Sequence, residues 1–368
     1  MINSRRKFIG NTAMALSAAS MFPNISLGMG KSTRLEDQIV GHGDYRYKVK
    51  RDWAKIGLAQ TSLLNCHEMV MDSKGRLLMI GDHTDNNILV FDKSGKLLDY
   101  WGTQYPGGHG LTIHDEGGED VLYIADCGWF MDRNGAMQRQ AGFVSKTDIN
   151  GRLIFNLPDP HTIGVYKEDE PFMPTEIAVG PNGDIYVADG YGSDYIIQYD
   201  HKGQYKRHFG GHHNENATEN LQNAHGIAID YRGEKPVLVC TSRTENCFKY
   251  FTLEGEYIKT VELPGLYVCR PVFDDDNLYA GVCWSKTRDE NKGWVRDTGF
   301  VTVMEGDRVV SNPGGSSPSY ENGELQQMYR AETPIFNHGH DVCVDEDKNL
   351  YVCQWNAHHT PPIKLERI

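Results

Sequence analysis

Apolar and polar residues alternate in short runs along most of the chain. The clearest case lies between Pro174 and Phe209. Residues 177–179, 184–188, 195–200 and 204–209 each alternate, and turns at Pro181-Asn-Gly183, Gly190–Asp194 and Lys202-Gly203 separate them. Period-two runs joined by tight glycine turns predict antiparallel strands. Four in succession predict one blade of a β-propeller.

The same unit recurs. A first copy opens at Cys66-His67-Glu68, a second at Gly108-His109-Gly110, and a fourth at Ala224-His225-Gly226. The fifth is degenerate. It opens at Cys269-Arg270-Pro271 and carries a long loop over 284–298, as the second does over 127–140. The sixth opens at Gly339-His340-Asp341, and its last strand lies near Ile363. Repeats of this length, rich in strand, fit a propeller better than a solenoid. The fold expected is all-β, a six-bladed NHL-like propeller over residues 44–368. The sixth unit is one strand short, and residues 45–50 alternate and are available to close the ring. Closure would remove an exposed sheet edge.

The N-terminus reads differently. Ser4-Arg5-Arg6-Lys7-Phe8-Ile9, followed by a weakly apolar run over 13–22, reads as a twin-arginine export signal within residues 1–30. Residues 31–43 read as a linker. The expectation is a periplasmic or secreted protein that meets the twin-arginine export machinery and has no membrane span when mature. The formal charge of −13 over 368 residues argues against nucleic acid as a partner. Eight cysteines stand singly with no Cys-x-x-Cys, which disfavours a zinc ribbon. Cys343 and Cys353 flank one tight turn, and an oxidising compartment would permit a bond between them.

In a propeller, the innermost strand of each blade starts at one face of the central channel. The loop between the second and third strands returns to that face. The six strand starts are His67, His109, Thr175, His225, Arg270 and His340, and the six loops carry His83, Trp129, Tyr191, Arg243, Trp284 and Trp355. Histidines from separate blades converging on one axis can hold a metal with an open coordination position. They can equally cap the inner strands by hydrogen bonds. A phenol beside a guanidinium, as Tyr191 beside Arg243, makes sense as a base with a charge stabiliser. His338 shares the strand face of His340, and the Trp129 and Trp284 loops are long enough to form a rim.

Several of these stretches carry a family likeness: Pro106-Gly-Gly-His109-Gly-Leu111, Phe172-Met-Pro-Thr-Glu176, Val187-Ala-Asp-Gly-Tyr191, Ala224-His225-Gly226 and His340-Asp-Val342. The chain resembles NHL-repeat propellers and, more narrowly, the catalytic core of peptidyl-α-hydroxyglycine α-amidating lyases. The resemblance implies zinc on His109, His225 and His340, with Tyr191 and Arg243 as catalytic residues. It also implies a structural calcium held by the Leu111 carbonyl and the Asp341 carboxylate. In the family, the reaction splits a hydroxyglycine-extended peptide into an amide and glyoxylate. The chain departs from the family where a disulfide beside the tyrosine would need two cysteines, since Met173 and Gly192 stand there. His338 replaces a methionine, and His67 stands at the channel mouth where the first blade would supply an arginine.

Three functions follow as expectations. The first is an exported metal-dependent lyase for a small hydroxylated or carbinolamide-like substrate. His67, His83, Trp129, Glu176, Arg270, Trp284, His338 and Trp355 would line its substrate site. The second is a metal-dependent lactone or sugar hydrolase with Glu68 or Glu176 as base. The third is a non-catalytic propeller that binds a peptide or glycan on its tryptophan-lined face.

Overall fold

The computed structural model describes residues 38–57, 61–286 and 294–368. The proposed export signal and residues 31–37 of the expected linker lie outside the described residues. The fold is a six-bladed β-propeller, as the repeats predict. Blade one contains Cys66–Met71, Leu77–His83, Asn86–Phe91 and Leu97–Trp101, each paired antiparallel with the next. Blades two to five repeat this four-strand meander, with inner strands Gly108–Asp115, Glu176–Val179, Ile227–Asp230 and Leu266–Asp274.

The turns have a common cause. Asp72-Ser-Lys-Gly75 is representative: Asp72 Oδ1 accepts the Lys74 and Arg76 N–H groups at 3.0 and 2.7 Å, and Gly75 has φ 74°. Asp200-His-Lys-Gly203 repeats the pattern. An aspartate that bonds its own turn, with a glycine in the left-handed region, fixes strand register.

Blade six is closed by the N-terminus. Its sheet runs Gly339–Val344, Leu350–Gln354, Ile363–Arg367, Tyr45–Lys50 and Ile39–His42. Val49 pairs with Leu365, so the first described segment zips onto the last. The alternation of 45–50 puts Tyr47 and Val49 into the core shared by blades four to six. Ile39–His42, expected as linker, is a fifth strand instead, because it continues as a hairpin through the tight turn at Gly43.

Three other details differ from expectation. The loop over 127–140 contains a hairpin, Trp129–Met131 against Met137–Arg139. Its turn, Asp132-Arg-Asn-Gly135, carries the same aspartate–glycine signature. The second strand of blade five runs on to Lys286 and pairs with Trp294–Val295. Cys343 and Cys353 are both buried and free. Register explains this, since Cys343 faces Tyr351 while Cys353 faces Asp341.

Candidate active site: two rings of side chains in the channel

In four of the six blades the inner strand begins with an irregularity that aims a side chain at the axis. In blades one, two and six the pairing with the second strand slips at one residue: between Cys66 and Glu68, between Gly108 and Gly110, and between Gly339 and Asp341. The residue left over is His67, His109 or His340. A bulge of this kind leaves one residue unpaired and re-aims its side chain. Blade five has a wider slip, between Val268 and Pro271. It brings Cys269, not Arg270, level with the histidines. The outer ring is therefore His67, His109, Thr175, His225, Cys269 and His340, and the assignment of Arg270 to it is corrected by one position.

The next residue along each strand forms an inner ring: Glu68, Gly110, Glu176, Gly226, Arg270 and Asp341. Gly110 and Gly226 let neighbouring inner strands approach closely. A Cβ on Gly110 would lie 2.6 Å from the Thr175 carbonyl, and one on Gly226 would lie 2.5 Å from Arg270 Cα.

In the outer ring, the centroids of His109, His225 and His340 lie 4.7–4.8 Å apart, and His67 lies 4.8 Å from His109 and 4.9 Å from His340. All four are buried. Carbonyl groups only accept, so they fix the tautomers. His109 Nδ1 donates to Thr175 O at 2.8 Å, and His340 Nδ1 donates to His67 O at 2.9 Å. Both Nε2 lone pairs are left facing the cluster. His67 Nε2 lies 3.1 Å from Asp82 Oδ2, and its Nδ1 is buried without a partner. Burial, followed by Arg243 and the neighbouring imidazoles, holds His225 well below the usual imidazole range; burial likewise depresses His109 and His340. Neutral, buried imidazoles with free lone pairs suit a divalent metal. Two groups bring their ligand atoms within 4.8 Å of one another: His67 with His109 and His340, and His225 with Cys269 and His340.

Tyr191 stands over this ring. Its hydroxyl lies 3.1 Å from both His109 Nε2 and His225 Nε2. Since His109 Nε2 carries no proton, the phenol donates to it and accepts from His225. Burial pushes the phenol well above its ordinary value, and the Arg243 guanidinium opposes that shift. Arg243 is buried, donates to Cys269 Sγ at 3.1 Å and lies 5.3 Å from the Trp284 ring.

The loop carrying Tyr191 is tied down by a carboxylate. Asp189 accepts the Met173 and Ser193 N–H groups at 2.6 and 2.7 Å and the Tyr166 hydroxyl at 2.9 Å. Gly192 packs so closely against Asp189 and the Pro171 carbonyl that any Cβ would collide. A cysteine is thus excluded where the family disulfide would begin. Asp82 and Asp126 stand at the same place in blades one and two, and accept the N–H groups of Asn65 and Gly107. Each of the three accepts from the residue two before the ring member of its blade. The signal was present in the sequence, as an aspartate ending each of the first three second strands, and was missed.

The rim is partly as expected. Trp129 is 51% exposed, with its ring 6.4 Å from that of Tyr191. Trp284, His338 and Trp355 group together at 5.5–6.5 Å, against Arg243. His83, expected at the substrate site, turns to its own loop and accepts the Asp85 N–H at 3.1 Å.

The inner ring is closely paired. The Arg270 guanidinium donates to Asp341 Oδ1 and Oδ2 at 3.0 and 2.7 Å, to Leu111 O at 2.9 Å and to Met69 O at 3.1 Å. Glu68 and Glu176 lie 3.5 and 3.6 Å from it. The carbonyl and carboxylate expected to hold calcium already hold a cation of the chain's own, so these residues do not fit calcium. The side chains of Arg270 and Glu176, expected at a substrate site, are buried and engaged with channel residues. Glu68 and Glu176 are also poor candidates for a hydrolytic base. Burial and the adjacent Glu176 push Glu68 well up, Arg270 opposes the shift, and Glu68 Oε2 and Glu176 Oε1 accept backbone N–H groups at 2.7 and 2.8 Å.

Together these features define a six-bladed β-propeller with a buried histidine cluster under a tyrosine at one channel mouth. Comparison with known proteins agrees with the propeller fold. The chain is 25% identical over 193 residues to a probable peptidyl-alpha-hydroxyglycine alpha-amidating lyase of Caenorhabditis elegans, covering 50% of this chain and 49% of the relative. The chain thus spans about half the length of that relative. It is 26% identical over 250 residues to human NHL repeat-containing protein 3, covering 59% and 67% of the two chains. Among solved structures, a gluconolactonase from Xanthomonas campestris superposes with a TM-score of 0.52 at 12% identity, over 88% of this chain and 90% of that one, a likeness of fold. No protein-family model matches the chain. Among the described residues, no helix is long and apolar enough to cross a membrane.

Two outcomes are expected. Because Arg270 occupies the inner ring, calcium chelation should leave the unfolding temperature within about 1 °C of its starting value. Arg270→Met should cost about 3–5 kcal/mol by stranding buried carboxylates. A fall of several degrees in chelator alone would contradict the assignment. The second concerns Asp189, whose carboxyl burial pushes up to about 7 against its hydrogen bonds. The folded state then holds this proton more tightly than the unfolded chain, where aspartate titrates near ~4. The contribution to stability is fullest below that value and is lost as pH rises through about 7. Relative to Asp189→Asn, the native protein should gain about 2 kcal/mol between about pH 8 and about pH 5 in denaturant titrations. A pH-independent difference would refute this.

Proposed function

We propose that this protein is a metal-dependent lyase that acts on a small hydroxylated, carbinolamide-like substrate, with Tyr191 as its base. The observation that carries the reading is the Tyr191 hydroxyl, 3.1 Å from two ring histidines and in the field of Arg243. The likeness to a relative named as an amidating lyase supports the same class.

Zinc is the ion the resemblance favours, and the cluster centred on His109 and His340 would hold it. When bound, such an ion polarises a substrate oxygen and favours the ionised form of a neighbouring hydroxyl. The chain's own residues do the rest. Thr175 and His67 carbonyls keep the His109 and His340 lone pairs aimed inward. Arg243 favours the phenolate of Tyr191, which takes the proton of the substrate hydroxyl. The C–O bond becomes C=O as the C–N bond breaks, and the departing nitrogen takes up a proton. Trp129, Trp284 and Trp355 narrow the approach and limit water at the mouth. Arg243 also offers a charge to a substrate carboxylate, although Trp284 covers one of its faces.

The hydrolase reading is weaker, because both glutamates offered as bases are bound up in the inner ring. The proposal includes export through the twin-arginine route, supported by Ser4-Arg5-Arg6-Lys7-Phe8-Ile9, and action in the periplasm or outside the cell.

An N-acyl-α-hydroxyglycine incubated with the zinc-loaded protein should release glyoxylate and the amide. Tyr191→Phe should lower that turnover by about 100-fold or more, with near-ultraviolet circular dichroism and zinc content unchanged. Unchanged turnover in the variant would remove Tyr191 from its role. Lactone opening without glyoxylate release would favour the hydrolase.

A further inference from the structure

We infer that His67 is a ligand of the metal centre, held in place by Asp82, so that the first blade supplies an imidazole through Nδ1. This rests on the reading above that the cluster holds a metal. It differs from the resemblance, which places the ligands on His109, His225 and His340 and expects arginine on the first blade.

Backbone geometry is the first argument. His67, His109 and His340 are each the unpaired residue of a bulge at the start of an inner strand. His225 is not, since its inner strand begins at Ile227. Three blades thus present histidine by one device, and the fourth histidine arrives by another.

Orientation is the second. A metal-bound imidazole donates its other N–H to a carbonyl or carboxylate, which fixes the tautomer and aims the lone pair. Thr175 O does this for His109, His67 O for His340, and Asp82 Oδ2 for His67. Asp82 is itself fixed, because it accepts the Asn65 backbone N–H at 3.0 Å and the Asn65 side-chain amide at 2.8 Å. His225 lacks such an anchor. Its Nε2 faces Tyr191, and its Nδ1 has no partner.

Unused lone pairs are the third. His67 Nδ1 and His340 Nε2 are buried and make no hydrogen bond. Burying a polar nitrogen without a partner is unfavourable, and an ion would relieve that cost. The ligand atoms of His67, His109 and His340 lie within 4.8 Å of one another, so about 1 Å of ring movement brings them onto one ion. The other grouping uses Cys269, whose sulfur already accepts from Arg243 and faces the Gly339 carbonyl. His225 then remains the partner of Tyr191.

The test uses the full chain, stripped of metal and titrated with zinc against a chromophoric chelator. The native protein should take up one ion. His67→Ala should bind at least tenfold more weakly, and Asp82→Asn about tenfold more weakly, both with unchanged near-ultraviolet circular dichroism. Long-range nitrogen–proton correlation spectra should show zinc on Nδ1 of His67 and on Nε2 of His109 and His340. Native-like affinity in His67→Ala, with loss in His225→Ala, would overturn the inference and leave the lyase reading standing. No zinc uptake by the native protein would sink both. If His67→Ala fails to fold, Asp82→Asn and the nitrogen spectrum decide. An unshifted His67 Nδ1 would overturn the assignment.

Discussion

One guanidinium at the axis constrains most of the structure. Arg270 enters from blade five and meets a carbonyl of blade one, a carbonyl of blade two and a carboxylate of blade six, with glutamates from blades one and three beside it. A propeller of six similar sheets needs something to fill a polar channel, because the inner-strand edges point backbone groups towards it. A buried charge is tolerated only when paired and hydrogen-bonded. Here the pairing joins five of the six blades at one point. Gly110 and Gly226 are the concession, since a Cβ there would collide with the inner-strand backbone of the next blade, at the Thr175 carbonyl and at Arg270 Cα.

The inner ring has a consequence for the outer one. With the guanidinium satisfied below, the histidines above need not capture a carboxylate or a backbone carbonyl across the axis. Their hydrogen bonds run sideways instead, to Thr175, to the His67 carbonyl and to Asp82, and their remaining nitrogens face inward. The same sideways anchoring holds the mouth loops. Asp82, Asp126 and Asp189 each bind the backbone just before the ring residue, so the Tyr191 loop is rigid without a disulfide. Chemistry and architecture are thus supported by one repeated device, an aspartate at the end of a second strand.

Much of this was legible in the sequence, and the part that was not has a physical reason. Aspartate–glycine turns and period-two runs disclosed the blades, and the missing strand of the sixth blade pointed to residues 45–50. The histidine series disclosed the channel mouth. What alternation cannot show is a bulge. One extra residue in blade five moves Arg270 from the outer ring to the inner, where its guanidinium meets channel carbonyls and carboxylates. The calcium expected from family likeness meets the same obstacle, since the likeness concerns Leu111 and Asp341 while Arg270, which engages both, stands on another blade. Asp82 escaped notice because its role depends on a contact with His67, fifteen residues earlier in the chain. His83, its neighbour, carried the more conspicuous side chain and turned out to serve only its own loop.

The account divides two cations between two rings, a metal in the outer and a guanidinium in the inner. Anomalous diffraction from crystals of the protein grown with zinc and calcium both present tests that division most directly. The account predicts one zinc peak among His67, His109 and His340, and no calcium peak beside Leu111 and Asp341. A calcium peak there, with Arg270 displaced, or a histidine cluster that stays free of zinc, would contradict it.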